Sequence, residues 1–491
     1  MTGHLAQEDN AARQGLQIVV GLEVHAELLT RSKMFCRCST RFGQPANSNV
    51  CPVCLGLPGS LPVVNEEAVR LAVVAAFALN CRVNARSRFA RKNYFYPDLP
   101  KGYQISQYDE PLAVDGYVLI PGPPPRKIRV RRLHLEEDAG KSVHAGEDIT
   151  RAEYSLVDFN RCGVPLIEIV SEPDIASPEE ARQYLEEVRG ILDFAGVSDV
   201  KMEEGSMRVD ANVSVRQCGQ SQPGTLVEIK NLNSLRAVVR ALAYERERQS
   251  QVIAAGGTVQ RETRTWDESL EITAPLRTKE TSEDYRYFPD PDLPPLVLKE
   301  EWLEKIRGEL PPLPAQKKEY YVSSLNIPAH DAAILTSSRK LSQFFDRCVA
   351  GGANAKEAAN WILTELLGYM NSRGLTPDSI PTTPEYLVRL MNLIHRGVIS
   401  GRIAKDVLVK MCETRRDPEE LVREEGLEQV TDESFLARVV DEVIGENASV
   451  VEGIRKGKTK AIGFLVGQVM KKTGGKANPE TVNIIIRAKL E

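Results

Sequence analysis

Gly21-Leu22-Glu23-Val24-His25-Ala26-Glu27 alternates without a break. Leu22, Val24 and Ala26 fall on one side of an extended chain and Glu23, His25 and Glu27 on the other. Met207-Arg208-Val209-Asp210-Ala211-Asn212-Val213-Ser214-Val215 repeats the pattern, with Arg208, Asp210 and Asn212 on its polar side. Glu228 and Lys230 alternate with Val227 and Ile229. In Pro165-Leu-Ile-Glu168-Ile-Val170 a single carboxylate interrupts an apolar strand, which is costly unless it is paired or bound to a metal. His134-Leu-Glu136-Glu137-Asp138 closes a further strand. Singly, each of these is more often a solvated sheet face than a site. Together they suit carboxylates converging on Mg²⁺, a hard cation that takes oxygen ligands and substrate phosphates. The sequence leaves a metal site and ordinary polar faces equally open.

Around these segments, strands are predicted over 17–27, 127–135, 154–159, 165–170, 206–216 and 225–230. Helices intervene. Asn65 caps 66–79; Ser177-Pro178-Glu179-Glu180 is a capping box with proline at the first helical position; a helix over 235–255 stops at Gly256-Gly257. Mixed strands and helices in this order predict an α+β fold: a β-rich cradle with a cysteine knuckle, then an all-α region and a small helical tail. The expected domains are 1–295, 296–416 and 417–491. The junction Pro289–Pro314 holds seven prolines around an amphipathic stretch, 299–310, and reads as a semi-rigid connector. A charged turn at Arg415-Arg416-Asp417-Pro418 marks the second boundary.

The length, 491 residues, suits about three domains. With 63 Lys and Arg against 68 Asp and Glu, the formal charge of −5 excludes a uniformly basic nucleic-acid coat but not a local basic patch. One such patch is expected in the tail. Between Gly453 and Pro479 there is no acid, while Arg455, Lys456, Lys458, Lys460, Lys471, Lys472 and Lys476 are present. No apolar run is long enough for a membrane span, and residues 1–15 lack a signal-like apolar core, so a cytosolic protein is expected.

Four of the nine cysteines are grouped: Cys36-Arg-Cys38, twelve residues, then Cys51-Pro-Val-Cys54. Two close thiolate pairs supply four soft ligands at tetrahedral corners, and the spacing predicts a closed, structural zinc site. Cys81, Cys162, Cys218, Cys348 and Cys412 are scattered and expected to be buried as small hydrophobes. No dinucleotide fingerprint is present, Gly453-Ile-Arg-Lys-Gly457-Lys-Thr459 is one residue short of a P-loop, and neither a zinc-protease helix nor a nucleophile elbow occurs. Arg91-Lys92-Asn-Tyr94-Phe-Tyr-Pro-Asp-Leu-Pro-Lys101-Gly-Tyr-Gln104 mixes aromatics and charges without a helical or strand period. It suits a base-stacking or substrate-binding loop, or a rigid connector.

Several motifs closely resemble the B-subunit family of aspartyl/glutamyl-tRNA amidotransferases. They are Gly21–His25, Asn93–Gln107, His134–Lys141, Asn160-Arg161 with Pro165–Asp174, Met207–Val215, Glu228–Asn231 and Ser282–Asp290. The resemblance runs from about residue 17 to the end. It implies ATP- and Mg²⁺-dependent phosphorylation of the side-chain carboxylate of Glu-tRNA(Gln) or Asp-tRNA(Asn), then amidation by ammonia. It implies as partners the amidase (A) subunit, the small (C) subunit, misacylated tRNA and a non-discriminating aminoacyl-tRNA synthetase. Carried over by position, the Mg²⁺ set is His25, Glu137, Glu168, Asp210 and Glu228, with Glu23 and Glu136 close by. The four carboxylates Glu137, Glu168, Asp210 and Glu228 are the catalytic candidates, and His25 has a role through water left open. Lys92, Tyr94, Lys101 and Arg208 are candidates for phosphate or the tRNA terminus. The rival reading is a non-catalytic, zinc-containing tRNA-binding scaffold.

Overall fold

A computed structural model of the protein describes residues 15–144, 154–220, 222, 224–278, 285–428, 433–455, 461–474 and 476–490. The chain forms two compact units, Met1–Pro314 and Ala315–Glu491.

The first unit is built on a nine-stranded sheet, its strands numbered here in chain order: β1 (Leu16–Glu27), β2 (Arg82–Val83), β3 (Ala113–Ile120), β4 (Arg126–Glu137), β5 (Pro165–Ser171), β6 (Met207–Gln217), β7 (Val227–Leu232), β8 (Glu262–Asp267) and β9 (Ile272–Thr278). Their spatial order is β9-β8-β7-β6-β1-β5-β4-β3-β2. Every pairing is antiparallel except β7–β8. A parallel pair needs a crossover, and helix α3 (Leu235–Ala254), after α1 (Glu66–Ala78) and α2 (Pro178–Phe194), supplies it.

Alternation decides which face is buried. Val20, Leu22, Val24 and Ala26 of β1 are wholly buried in one core with Val209, Ala211 and Val213 of β6 and with Tyr184, Leu185 and Val188 of α2. The helices therefore cover the apolar face, and the polar side chains of the central strands are left on the other. The caps are as expected: Asn65 Oδ1 accepts from Glu67 N, and Ser177 Oγ accepts from Glu180 N.

Six segments differ from the sequence expectation. The strand expected over 154–159 is Ser155–Asp158, and it pairs with Lys141–His144 in a separate hairpin, outside the main sheet. The aromatic stretch 91–104 is not simply a loop: Ala90–Asn93 and Tyr103–Ser106 pair with each other and with Phe288–Pro289 in a three-stranded sheet. Its strands are too short to show a period of their own. The stretch 299–310 folds as α4 (Glu300–Gly308), whose Leu303 and Ile306 are buried in the first unit's core, past residue 295. Strands β3, β8 and β9 go unannounced in the sequence, because Gly116, Pro275 and mixed polar residues blur their period.

The second unit is helical and holds two cores. One gathers Tyr321 to Val422, including Leu421 and Val422 of the helix Pro418–Glu424. The other gathers Leu436 to Ile486. In the basic tail, Ile462, Leu465 and Val469 are buried on one side of the helix Ile462–Lys472, while Phe464 is exposed. Lys472 pairs with Glu442 and Glu446. Lys456, Lys458 and Lys460 lie outside the described residues, as do Ser282, Glu283 and Asp284 of the motif over 282–290.

Candidate active site

Strand register brings the polar face together. Asp210 stands opposite Glu23, and Arg208 opposite His25, across β6 and β1. His25 is in turn opposite Glu168 on β5, and Glu168 opposite His134 on β4. Asn212 faces Glu228 on β7.

Two groups of ligand atoms result, each within 4.8 Å: His25, Glu136 and Glu168, and Glu23, Asp210 and Glu228. In the first, Glu168 Oε2 lies 3.3 Å from both His25 Nε2 and His134 Nε2. Glu136 Oε1 is buried and accepts no hydrogen bond, with His25 Nε2 3.5 Å away. In the second, Lys230 Nζ is 2.8 Å from Asp210 and 3.3 Å from Glu228. Asn212 Nδ2 donates to Glu23 at 2.8 Å, and Thr263 Oγ1 donates to Glu228 at 2.9 Å.

The electrostatics are those of a site short of positive charge. Burial pushes the Glu23 carboxyl up, and Glu168, Asp210 and Glu228 add to the rise. Burial acts against the charge on His25, but Glu136 and Glu168 outweigh it and raise the imidazole to about 10. Burial likewise opposes the Glu168 charge, yet His134 and His25 hold it well below the usual carboxylate range. Lys230 is raised by Asp210 and Glu228 against burial. Six oxygen-bearing or imidazole ligands with an orphaned buried carboxylate oxygen among them fit divalent cations better than they fit a closed ion-pair network.

Glu137 is not brought to this face. It follows Glu136 on β4, and successive residues of a strand point to opposite sides. Its carboxylate pairs with Lys101 and accepts from Ile105 N at 3.0 Å. There it borders a small cavity of about 60 Å³ shared with Lys33, Cys36 and Cys54. Of the five residues carried over as a set, His25, Glu168, Asp210 and Glu228 share the sheet face. Glu136, placed only close by from sequence, occupies the position expected for Glu137. His134 opens a motif seen in the sequence but is given no site role there, although its phase matches that of Glu136 two residues on.

Lys92 reaches the same face. Burial disfavours its charge, but Tyr287, Glu136 and Glu168 more than restore it. Its ammonium lies 5.1 Å from the ring centre of Tyr285 and 6.0 Å from that of Tyr94. Tyr94 Oη donates to Gln104 at 3.4 Å. Tyr285 and Tyr287 come from almost two hundred residues downstream, in the motif over 282–290, and nothing local in the sequence places them beside Lys92. Arg208 Nη2 donates to Asp138 at 2.6 Å.

The four grouped cysteines also converge, their sulfurs within 4.8 Å of one another. The hydrogen bond from Cys36 pushes the Cys54 thiol down to about 4, helped by Cys51 N and by Lys33, whose Nζ lies 3.6 Å from Cys54 Sγ. Four sulfurs this close to one another present the donor set of a tetrahedral soft-metal site. Of the scattered cysteines, Cys81, Cys162, Cys348 and Cys412 are buried, but Cys218 is exposed, because it lies just beyond the end of β6.

Residues 18–304 match the GatB/GatE catalytic domain, and residues 343–490 match the GatB domain. The aspartyl/glutamyl-tRNA(Asn/Gln) amidotransferase B subunit of Thermoanaerobacter pseudethanolicus is 53% identical over 475 residues, covering 96% of this chain and 99% of the relative. The protein of the same name from Carboxydothermus hydrogenoformans is 52% identical, covering 96% and 98%. That from Symbiobacterium thermophilum is 50% identical, covering 97% and 98%. Among the described residues no helix is long and apolar enough to cross a membrane. With both domain matches and relatives at this identity over nearly its whole length, the chain belongs to the B-subunit family of aspartyl/glutamyl-tRNA(Asn/Gln) amidotransferases.

Proposed function

We propose that this chain is the ATP-dependent activating and transamidating subunit of a tRNA-dependent amidotransferase. A carboxylate does not react with ammonia at neutral pH, because it is resonance-stabilised and oxide or hydroxide leaves poorly. Transfer of the γ-phosphoryl group of ATP to one carboxylate oxygen, with release of ADP, makes that oxygen a leaving group. Ammonia then displaces phosphate and forms the amide, turning Glu-tRNA(Gln) into Gln-tRNA(Gln) or Asp-tRNA(Asn) into Asn-tRNA(Asn).

The observation that carries this reading is the pair of acid groups on one sheet face, edged by Lys92, Lys230 and Arg208. Phosphoryl transfer is mostly positioning and charge stabilisation, and such a face supplies both. His25, Glu136 and Glu168 would hold one Mg²⁺ and Glu23, Asp210 and Glu228 a second. Bound there, Mg²⁺ supplies positive charge to phosphate oxygens. Asn212 and Thr263 orient Glu23 and Glu228, and His134 fixes Glu168. Lys92, with Tyr94 beside it, faces the nucleotide. Glu137 and Lys101 act from the other side of β4, beside the cavity. A scaffold without chemistry has no use for an orphaned carboxylate oxygen inside a strand.

Cys36, Cys38, Cys51 and Cys54 bind a structural Zn²⁺ in this reading. The partners are the amidase (A) subunit, which supplies ammonia from glutamine, the small (C) subunit, misacylated tRNA in the cytosol and a non-discriminating aminoacyl-tRNA synthetase. The domains 1–295, 296–416 and 417–491 divide the labour, with α4 packed into the core of the first and the helix Pro418–Glu424 into that of the second. The tail grips the tRNA body by shape and phosphate, so removing residues after Arg416 raises the KM for tRNA. The test of the whole is ATP turnover by the reconstituted complex. It should require misacylated tRNA, and turnover that ignores tRNA overturns the assignment.

A further inference from the structure

A third polar group lies on the same sheet face, beyond the two acid groups. Asp138 follows β4 and is 3% exposed. It accepts from Arg208 Nη2 at 2.6 Å and stands 3.4 Å from Arg161 Nε. Arg161 is fixed by the backbone, with Nε donating to Ala139 O at 3.1 Å and Nη2 to Gly140 O at 2.7 Å. Both guanidinium groups keep donors for something else, since each side chain is 34% exposed. Glu27 faces the pair from β1, roughly 7 Å beyond His25 at the rise of an extended strand. Its carboxylate takes no hydrogen bond among the described residues, and its neighbours are Arg208, Arg161, Asp138 and Asp199.

We propose that Arg161 and Arg208 bind the side-chain carboxylate of the acceptor aminoacyl group, and that Glu27 receives its α-ammonium group. This rests on the function proposed above. The mixed sign of the group decides between ligands. A phosphate carries only negative charge, and Glu27 and Asp138 would repel it. An aminoacyl ester of Asp or Glu carries a carboxylate and an amino group a few bonds apart, which matches two forked donors beside one acid. The place is also right: Arg208 is opposite His25 in the register, so a carboxylate held there lies beside the first acid group.

The test uses the reconstituted complex and two substrates, Glu-tRNA and N-acetyl-Glu-tRNA; the second lacks the amino charge and carries an added acetyl group, and the Glu27 variant separates charge from bulk. A site that pairs with a charged group rejects an analogue lacking it, so the wild-type complex should prefer the free amine by about tenfold or more in kcat/KM. In Glu27→Gln that ratio should fall to near one. Arg161→Gln should raise the KM for Glu-tRNA by about tenfold while leaving Mg·ADP affinity unchanged. The proposal is overturned if the wild-type complex accepts both substrates equally, if Glu27→Gln keeps the wild-type ratio, or if Arg161→Gln weakens ADP as much as tRNA. A variant that merely folds less well loses both substrates together. Failure of the underlying function is a different result, the absence of tRNA-dependent ATP turnover in the wild-type complex.

Discussion

The cysteine knuckle and the acid face are both convergent clusters, but they are assembled in opposite ways. All four sulfurs of the knuckle come from residues 36–54, so one loop carries the whole site. The acid face draws on five strands between residues 16 and 232, and none of its groups is complete without at least two of them. A local site stands or falls with its own loop. A distributed site depends on the register of the whole sheet.

That contrast can be broken by substitution. The largest effect is expected at Glu168, which takes part in the first acid group and touches both histidines. Glu168→Ala should lower tRNA-dependent ATP turnover by a thousandfold or more, about 4 kcal/mol. Glutaminase chemistry of the partner should survive, and wild-type amide formation by the variant would remove the face from the mechanism. Next is Cys36→Ser, expected to release zinc and cost on the order of 3 kcal/mol of stability. Elemental analysis and Tm check it, and an unchanged Tm with no zinc in the wild-type protein would end the structural role.

Adjacent carboxylates sharpen the comparison further. Glu136→Gln should raise the Mg²⁺ requirement for turnover about a hundredfold, roughly 2.7 kcal/mol. Glu137→Gln should leave that requirement near wild type, because its partners are Lys101 and Ile105 N. Metal titrations of the two variants that superimpose would reverse the face assignment. The smallest effect is expected at Thr263, which donates one hydrogen bond to Glu228. Thr263→Val should weaken metal binding about tenfold, and Thr263→Ser should restore it.

The difference in assembly also explains what the sequence discloses. The knuckle is legible from spacing alone, since its ligands are neighbours along the chain. The polar phase of β1, β6 and β7 is legible from alternation, as are Glu168 as an anomaly and the α+β class. Register is not. Choosing between Glu136 and Glu137 requires knowing that Glu168 pairs with His134 rather than with a residue one step away. Tyr285 and Tyr287 beside Lys92 are invisible for the same reason, as their approach depends on Phe288 pairing with Arg91. Strand β3 escapes notice because Asp115, at φ 58°, and Gly116 interrupt its alternation.

Glu136 and Glu137 give β4 an unusual vulnerability. A single residue deleted between the irregularity opposite Ser171 and Glu136 would bring Glu137 to the place of Glu136. The apolar residues after the change, Leu133 and Leu135 among them, would turn out of the core by the same step, although a carboxylate would still stand beside His25. Nothing in charge or composition would betray the error. The strand is therefore a vernier: its length between those two marks is held to one residue by the core and the site together.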